Sequence, residues 1–158
     1  MKILVLNCGS SSIKYQLIDI ESKNVLAQGG IEKIGLEGSF IKFNLPNGEK
    51  ETIFASIPEH TIGVRLIFDV LTSEKFGAIG SIDEIDAVGH RMVHGGEKFS
   101  ASTLLTDEVL EVFEACNDLA PLHNPANLKG VNAVKEVAPE IPQVGVFDTA
   151  FHQTMPDY

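Results

Sequence analysis

The hydrophobic period along this chain is two residues at first and about three and a half later. Residues 3–6 are solidly apolar, as expected of a strand covered on both faces. Residues 8–12 make a small polar turn. Residues 13–19 alternate, with Ile13, Tyr15 and Leu17 on one side and Lys14 and Gln16 on the other. Residues 24–31 read as a third strand, weakened by Gly29 and Gly30. Three strands joined by short turns predict an antiparallel meander, because a parallel return needs a longer crossover. Residues 40–45 and 51–57 flank Pro46-Asn47-Gly48, a hairpin signal.

From residue 59 to residue 76 the apolar positions Ile62, Leu66, Ile67, Val70 and Leu71 form a helical stripe. Residues 85–93 return to a strand. Thr106-Asp107-Glu108 opens a helix, with a capping hydroxyl and two acids in the first turn. Asn124-Pro125 opens another, with a capping amide and proline at the first helical position. The apolar face of that helix is Leu128, Val131, Val134 and Ala138, and Pro139 and Pro142 close it. Residues 143–147 make a short buried strand that stops at Asp148. The order is three strands, a hairpin, then α-β-α-α-β. This is an α/β chain: a mixed sheet, an antiparallel three-strand meander plus parallel β-α units, with flanking helices.

Composition narrows the class. The 158 residues fit one domain, large enough to bury roughly 70% of its unfolded surface. Hydrophobic residues at 44% and charged residues at 22% exclude a disordered chain, a collagen-like fibre and a disulfide scaffold. The net charge of −10 makes nucleic acid and anionic membrane surfaces poor partners. It also means that any phosphate site needs local cations or a metal. No apolar run is long enough to span a membrane, and the amino terminus does not read as a signal peptide. Cys8 and Cys116 fit free thiols in a reducing compartment, so the expected location is cytoplasmic.

Four segments could carry chemistry. In Asn7-Cys8-Gly9-Ser10-Ser11-Ser12-Ile13-Lys14 a strand ends at an amide, and a turn of one glycine and three serines leads to a lysine. Backbone N–H groups and hydroxyls there can donate to phosphate oxygens, and Lys14 adds a cation. It matches neither the P-loop nor the dinucleotide fingerprint. A plain serine-rich turn is the structural alternative. In Gly89-His90-Arg91-Met92-Val93-His94-Gly95-Gly96, strand alternation puts Gly89, Arg91 and Val93 on one face and His90, Met92 and His94 on the other. A guanidinium beside an apolar wall suits a small carboxylate with a short alkyl tail; a structural ion pair would also explain Arg91. No further cluster has zinc-ligand spacing, and His90 and His94 read as structural. Ala120-Pro121-Leu122-His123-Asn124-Pro125 is a rigid loop that could present Leu122 and His123 to a cleft, or simply a helix start. In Val146-Phe147-Asp148-Thr149-Ala150-Phe151-His152-Gln153 an acid follows a strand end, where ligand crevices form in open α/β sheets, or caps the next turn.

Together the four segments resemble the acetate kinase (acetokinase) family, within the superfamily of sugar kinases, actin and heat-shock ATPases. The resemblance extends over residues 7–153. It implies a ribonuclease-H-like lobe and the reaction of ATP with acetate to give ADP and acetyl phosphate, with Mg2+. By position, Asn7 would help to hold the metal, and Ser10, Ser12 and Lys14 would contact nucleotide phosphates. Arg91 would bind the acetate carboxylate or the phosphoryl group. Val93 and Leu122 would line a methyl pocket, His123 would hydrogen-bond the phosphoryl region, and Asp148 would be the active-site acid. Acetate titrates near 4.3 and is already ionised at neutral pH, so it needs no base. The expected task of Asp148 is therefore to position Mg2+, while Arg91 neutralises the incoming carboxylate.

Members of this family are longer and have a second lobe that supplies the adenosine pocket. The expectation is that residues 1–158 form a single amino-terminal lobe, inactive alone, whose complete enzyme is a homodimer. Propionate kinase is the alternative within the family, with Val93 favouring acetate. Butyrate kinase fits the phosphate turn less well. A non-catalytic phosphate-binding module of one lobe is the alternative outside enzymes. Cys8, in the phosphate turn, is a candidate for reaction with thiol reagents.

Overall fold

A computed structural model describes residues 1–45, 48–92, 103–114 and 124–147. The strands are β1 (Lys2–Cys8), β2 (Ile13–Asp19), β3 (Asn24–Glu32), β4 (Phe40–Asn44), β5 (Lys50–Phe54), β6 (Ala87–Met92), β7 (Thr103–Leu104) and β8 (Gln143–Phe147). The helices are α1 (His60–Leu71), α2 (Asp107–Glu114) and α3 (Asn124–Val137), with a 3-10 turn at Ile82–Glu84 before β6.

Among the described residues all eight strands form one sheet, in the order β5-β4-β3-β2-β1-β6-β8-β7. From β5 to β1 every pairing is antiparallel, and β1-β6 and β6-β8 are parallel. This is the mixed sheet expected from the sequence, with the meander and the parallel units meeting at β1. Gly29 and Gly30 do not weaken β3, which runs through them paired on both edges, to Tyr15 and Lys14 on β2 and to Phe43 and Lys42 on β4. The two-residue β7, antiparallel to β8, was not expected. Two residues are too few for a periodic signal.

Helices α1 and α3 pack on each other and on one face of the sheet. That face supplies Leu4, Leu6, Cys8, Ile13, Tyr15 and Leu17, all nearly inaccessible. The stripe expected on α1 is rotated. Gly63, Val64, Ile67, Phe68, Val70 and Leu71 are buried, while Ile62 and Leu66 are only partly so. A helix wedged between a sheet and a second helix buries a wider arc than the narrow stripe of a helix resting on one surface. On α3, Val131 and Val134 are buried as expected, as is Ala138 just past its end, while Leu128 is only partly so; Ala126, Asn127 and Ala133 are buried too. The helix α1 ends at Leu71, where the stripe's last apolar residue stands and short of the expected end near residue 76, and Thr72 caps it by donating its N–H and hydroxyl to the Phe68 carbonyl, at 3.0 and 2.8 Å.

Candidate functional site

Period-two alternation puts neighbouring residues of one strand on opposite sides of the sheet. On β1, Leu6 and Cys8 face the helix layer and Asn7 faces the other side, exposed. Asn7 pairs directly with Lys14 across the β1–β2 ladder, so their side chains lie side by side on that open face. In the parallel ladder Val5 pairs with Gly89 and Leu6 with His90. Arg91, two residues beyond Gly89, therefore shares the open face with Asn7 and Lys14, and it is exposed. The strands β1, β6 and β8 run the same way and are neighbours in the sheet. Asn7 and Arg91 thus sit at one carboxyl edge, where open α/β sheets take ligands. Val93, Leu122, His123 and Asp148 lie outside the described residues.

Asn7 and Lys14 line a groove of about 470 Å³ on the open face, together with Gln16, Gln28, Lys42 and Lys50. Three lysines against one acid, Glu32, leave this groove locally cationic on a chain whose net charge is −10. Ser10 is exposed too but lines a different cavity, of about 390 Å³, with His60, Thr61, Lys129 and Asn132. The serine turn therefore stands between a groove on the sheet face and a cavity beside the helices. Ser12 bridges the turn from within: its carbonyl accepts the Gly9 N–H at 2.8 Å.

The turn is anchored from the helix side. The His60 Nε2–H donates to the Gly9 carbonyl at 2.8 Å. The Asn127 Nδ2 donates to the Cys8 carbonyl at 3.1 Å. The Ile34 N–H donates to the Ser11 carbonyl at 2.9 Å. Sequence periodicity missed His60 and Asn127 because each is a lone polar residue on an otherwise apolar helix face. Both are at least 95% buried, and buried polar side chains need partners. Gly130 of α3 carries a related constraint: a β-carbon there would overlap the Cys8 Sγ and come within 3.1 Å of its Cβ. The helix backbone can lie on Cys8 only because residue 130 is glycine.

Cys8 corrects an expectation. It is 5% exposed, on the face opposite Lys14, and burial pushes its thiol up to about 12. A thiol so held is not a nucleophile at neutral pH. His90 is structural, as read from the sequence. It is 2% exposed, and its Nε2–H donates to the Gln143 Oε1 at 2.5 Å. The Gln143 Nε2 in turn donates to the Val131 carbonyl at 3.2 Å, tying β6, β8 and α3 together. Desolvation lowers the His90 pKa to about 4, so the ring is neutral at physiological pH. Among the described residues there is no group of three or more His, Cys, Asp or Glu that could hold a metal. Nor, among them, is any helix long and apolar enough to cross a membrane.

Residues 2–158 match the model of the acetokinase family. The chain belongs to the acetokinase family. It is 74% identical over 158 residues to an acetate kinase of Bacteroides thetaiotaomicron and 72% identical to one of Phocaeicola vulgatus. In both cases all of this chain and 40% of the relative are covered, so the chain spans about two fifths of the length of these relatives. The crystal structure of a Porphyromonas gingivalis acetate kinase superposes with a TM-score of 0.94 at 62% identity, covering 98% of this chain and 39% of that one. A propionate kinase from Francisella tularensis superposes with a TM-score of 0.86 at 41% identity, covering 98% of this chain and 38% of that one. The mixed sheet with its helix pair is thus the family's fold over this stretch.

Proposed function

We propose that this acetokinase-family chain is the amino-terminal, acetate- and phosphate-binding lobe of an acetate kinase, which transfers a phosphoryl group between ATP and acetate. The observation that carries the reading is the shared face of Asn7, Lys14 and Arg91 at one carboxyl edge of the sheet. Phosphoryl transfer is catalysed mainly by placing donors and positive charge around a group that bears three anionic oxygens. Arg91 can grip acetate by two parallel hydrogen bonds and cancel its charge as it meets the phosphate. Lys14, beside Asn7, attracts phosphate oxygens, and the serines of the turn offer hydroxyl and backbone donors. Val93 and Leu122 line the methyl pocket, and His123 bonds the phosphoryl group.

Mg2+ when bound would neutralise phosphate charge and fix the phosphate oxygens in line for attack. It keeps several waters and commonly takes one or two protein oxygens besides phosphates. The exposed amide oxygen of Asn7 fits one such position. Asp148 would supply the second protein contact rather than a proton site, because acetate is ionised at neutral pH. Adenosine binding belongs to a second lobe, and the complete enzyme is a cytoplasmic homodimer.

The likeness to a propionate kinase favours one further reading, propionate as substrate. One methylene is worth only about 1–3 kcal/mol, so Val93 decides between the two acids. Calorimetric titration of the 158-residue chain with MgADP and, separately, with acetyl phosphate tests the proposal. Binding of acetyl phosphate that is lost in Arg91→Ala is expected, with no turnover by this chain alone. Failure of both ligands to bind, or acetyl phosphate synthesis by the chain alone, would refute it.

A further inference from the structure

The turn of residues 9–12 is held by hydrogen bonds to its carbonyl oxygens. A trans peptide plane carries its C=O and the following N–H in opposite directions. Fixing one carbonyl therefore aims the next N–H. The Gly9 carbonyl points to His60 at the start of α1, so the Ser10 N–H points away from the helix layer. The Ser11 carbonyl points to the Ile34 N–H in the β3–β4 connection, so the Ser12 N–H points away from that connection. The Cys8 carbonyl, one plane earlier, is held by Asn127 of α3. Among the described residues, the N–H groups of Ser10 and Ser12 meet no backbone carbonyl.

We propose that His60 is a positioning residue, which locks the Gly9 carbonyl inward so that the Ser10 N–H is presented outward to phosphate oxygens, while Asn127 holds the preceding peptide plane, whose Gly9 N–H closes the turn on the Ser12 carbonyl. The inference rests on the phosphate-binding reading of the turn and extends it to two residues that touch no ligand. His60 is 5% exposed and Asn127 is 3% exposed, so neither can meet phosphate directly. Their effect must pass through the peptide planes. The helix layer also leaves the turn little freedom to drift. Its two flanking residues, Cys8 and Ile13, lie under α3 and α1, and Ile13 Cδ1 is within 3.2 Å of where a β-carbon on Gly63 would be.

The test uses the 158-residue chain, ADP with Mg2+ as probe, and two variants that differ in donor capacity. His60→Gln keeps an N–H donor and His60→Leu removes it. In the unmutated chain, nitrogen NMR should show the His60 ring protonated at Nε2, and ADP should shift the amide signals of Ser10 and Ser12. In His60→Leu, backbone order parameters at Ser10 should fall and ADP should bind about tenfold more weakly, the effect of one lost hydrogen bond. His60→Gln should restore both while thermal unfolding of the two variants stays alike, which a merely structural role would not produce. Asn127→Leu should independently loosen the preceding plane, between Cys8 and Gly9. A ring protonated only at Nδ1 would overturn the proposal, as would a His60→Leu chain with an ordered turn and unchanged affinity. If ADP leaves the turn amides of the unmutated chain unmoved, the phosphate reading fails, and the order parameters still decide the clamp.

Discussion

The two sides of β1 and β6 use the same backbone for opposite ends. Cys8 and His90 point into the helix layer, where burial lifts one pKa to about 12 and lowers the other to about 4. Each group is held uncharged, and each is tied to packing or to a single partner. One residue along, Asn7 and Arg91 stand on the exposed face, with Lys14 beside Asn7. The difference shows that residue type alone does not mark a functional group. A thiol beside a serine-rich turn and a histidine beside a candidate catalytic arginine look reactive in one dimension. The strand's period of two removes both from the chemistry.

Substitutions should separate the two sides. The largest effect on stability is expected in the helix layer, at Phe68, which is 1% exposed. Phe68→Ala should cost about 3–5 kcal/mol in urea unfolding, through lost burial and the cavity left behind. Acid comes next. The His90 pKa falls from 6.5 to about 4 in the folded chain, so between those values the unfolded chain binds more protons. Stability should therefore drop as pH falls through that window, by roughly 3 kcal/mol at its lower end. Unfolding measured at pH 7 and pH 4.5 should show a drop in the unmutated chain that is smaller in His90→Gln. Equal drops would move the acid sensitivity elsewhere.

Gly130→Ala should cost about 1–3 kcal/mol, because its new methyl overlaps Cys8. Adding Cys8→Ala to Gly130→Ala should return part of that loss in a double-mutant cycle, and strict additivity would mean that the contact is not the cause. The smallest stability effect belongs to the open face. Lys14→Ala should change unfolding by no more than about 0.5 kcal/mol, as at other exposed sites. The same substitution should weaken MgADP binding to this chain about tenfold, the effect of losing one charge-assisted hydrogen bond to phosphate. A Lys14→Ala chain that binds normally would remove Lys14 from the site. Native Cys8 should also resist thiol reagents at neutral pH and react only on unfolding.

Much of this was legible in one dimension. The alternation of residues 13–19 put Lys14 and Gln16 opposite Ile13, Tyr15 and Leu17, and the ladder agrees. Arg91 lies opposite His90 for the same reason, since a strand has only two sides. Local signals also placed the starts of α2 and α3 within a residue or so, through hydroxyl, acid, amide and proline preferences. Helix faces were less legible. Val64 and Phe68 were left out of the α1 stripe because a periodic pattern cannot tell one packing partner from two.

What the sequence alone determined is most of the elements, though not the two-residue β7, which side of each strand is wet, and which family's motifs the chain carries, because those follow from short-range periodicity and residue type. Only the tertiary structure decided that β1, the edge strand of the meander, lies beside β6, and so brings Asn7 and Lys14 to the same face and edge as Arg91. It also decided that His60, 51 residues from Gly9, and Asn127, 119 residues from Cys8, hold the serine turn. Contacts across such separations depend on how whole layers stack, and no local pattern encodes which buried polar side chain meets which carbonyl.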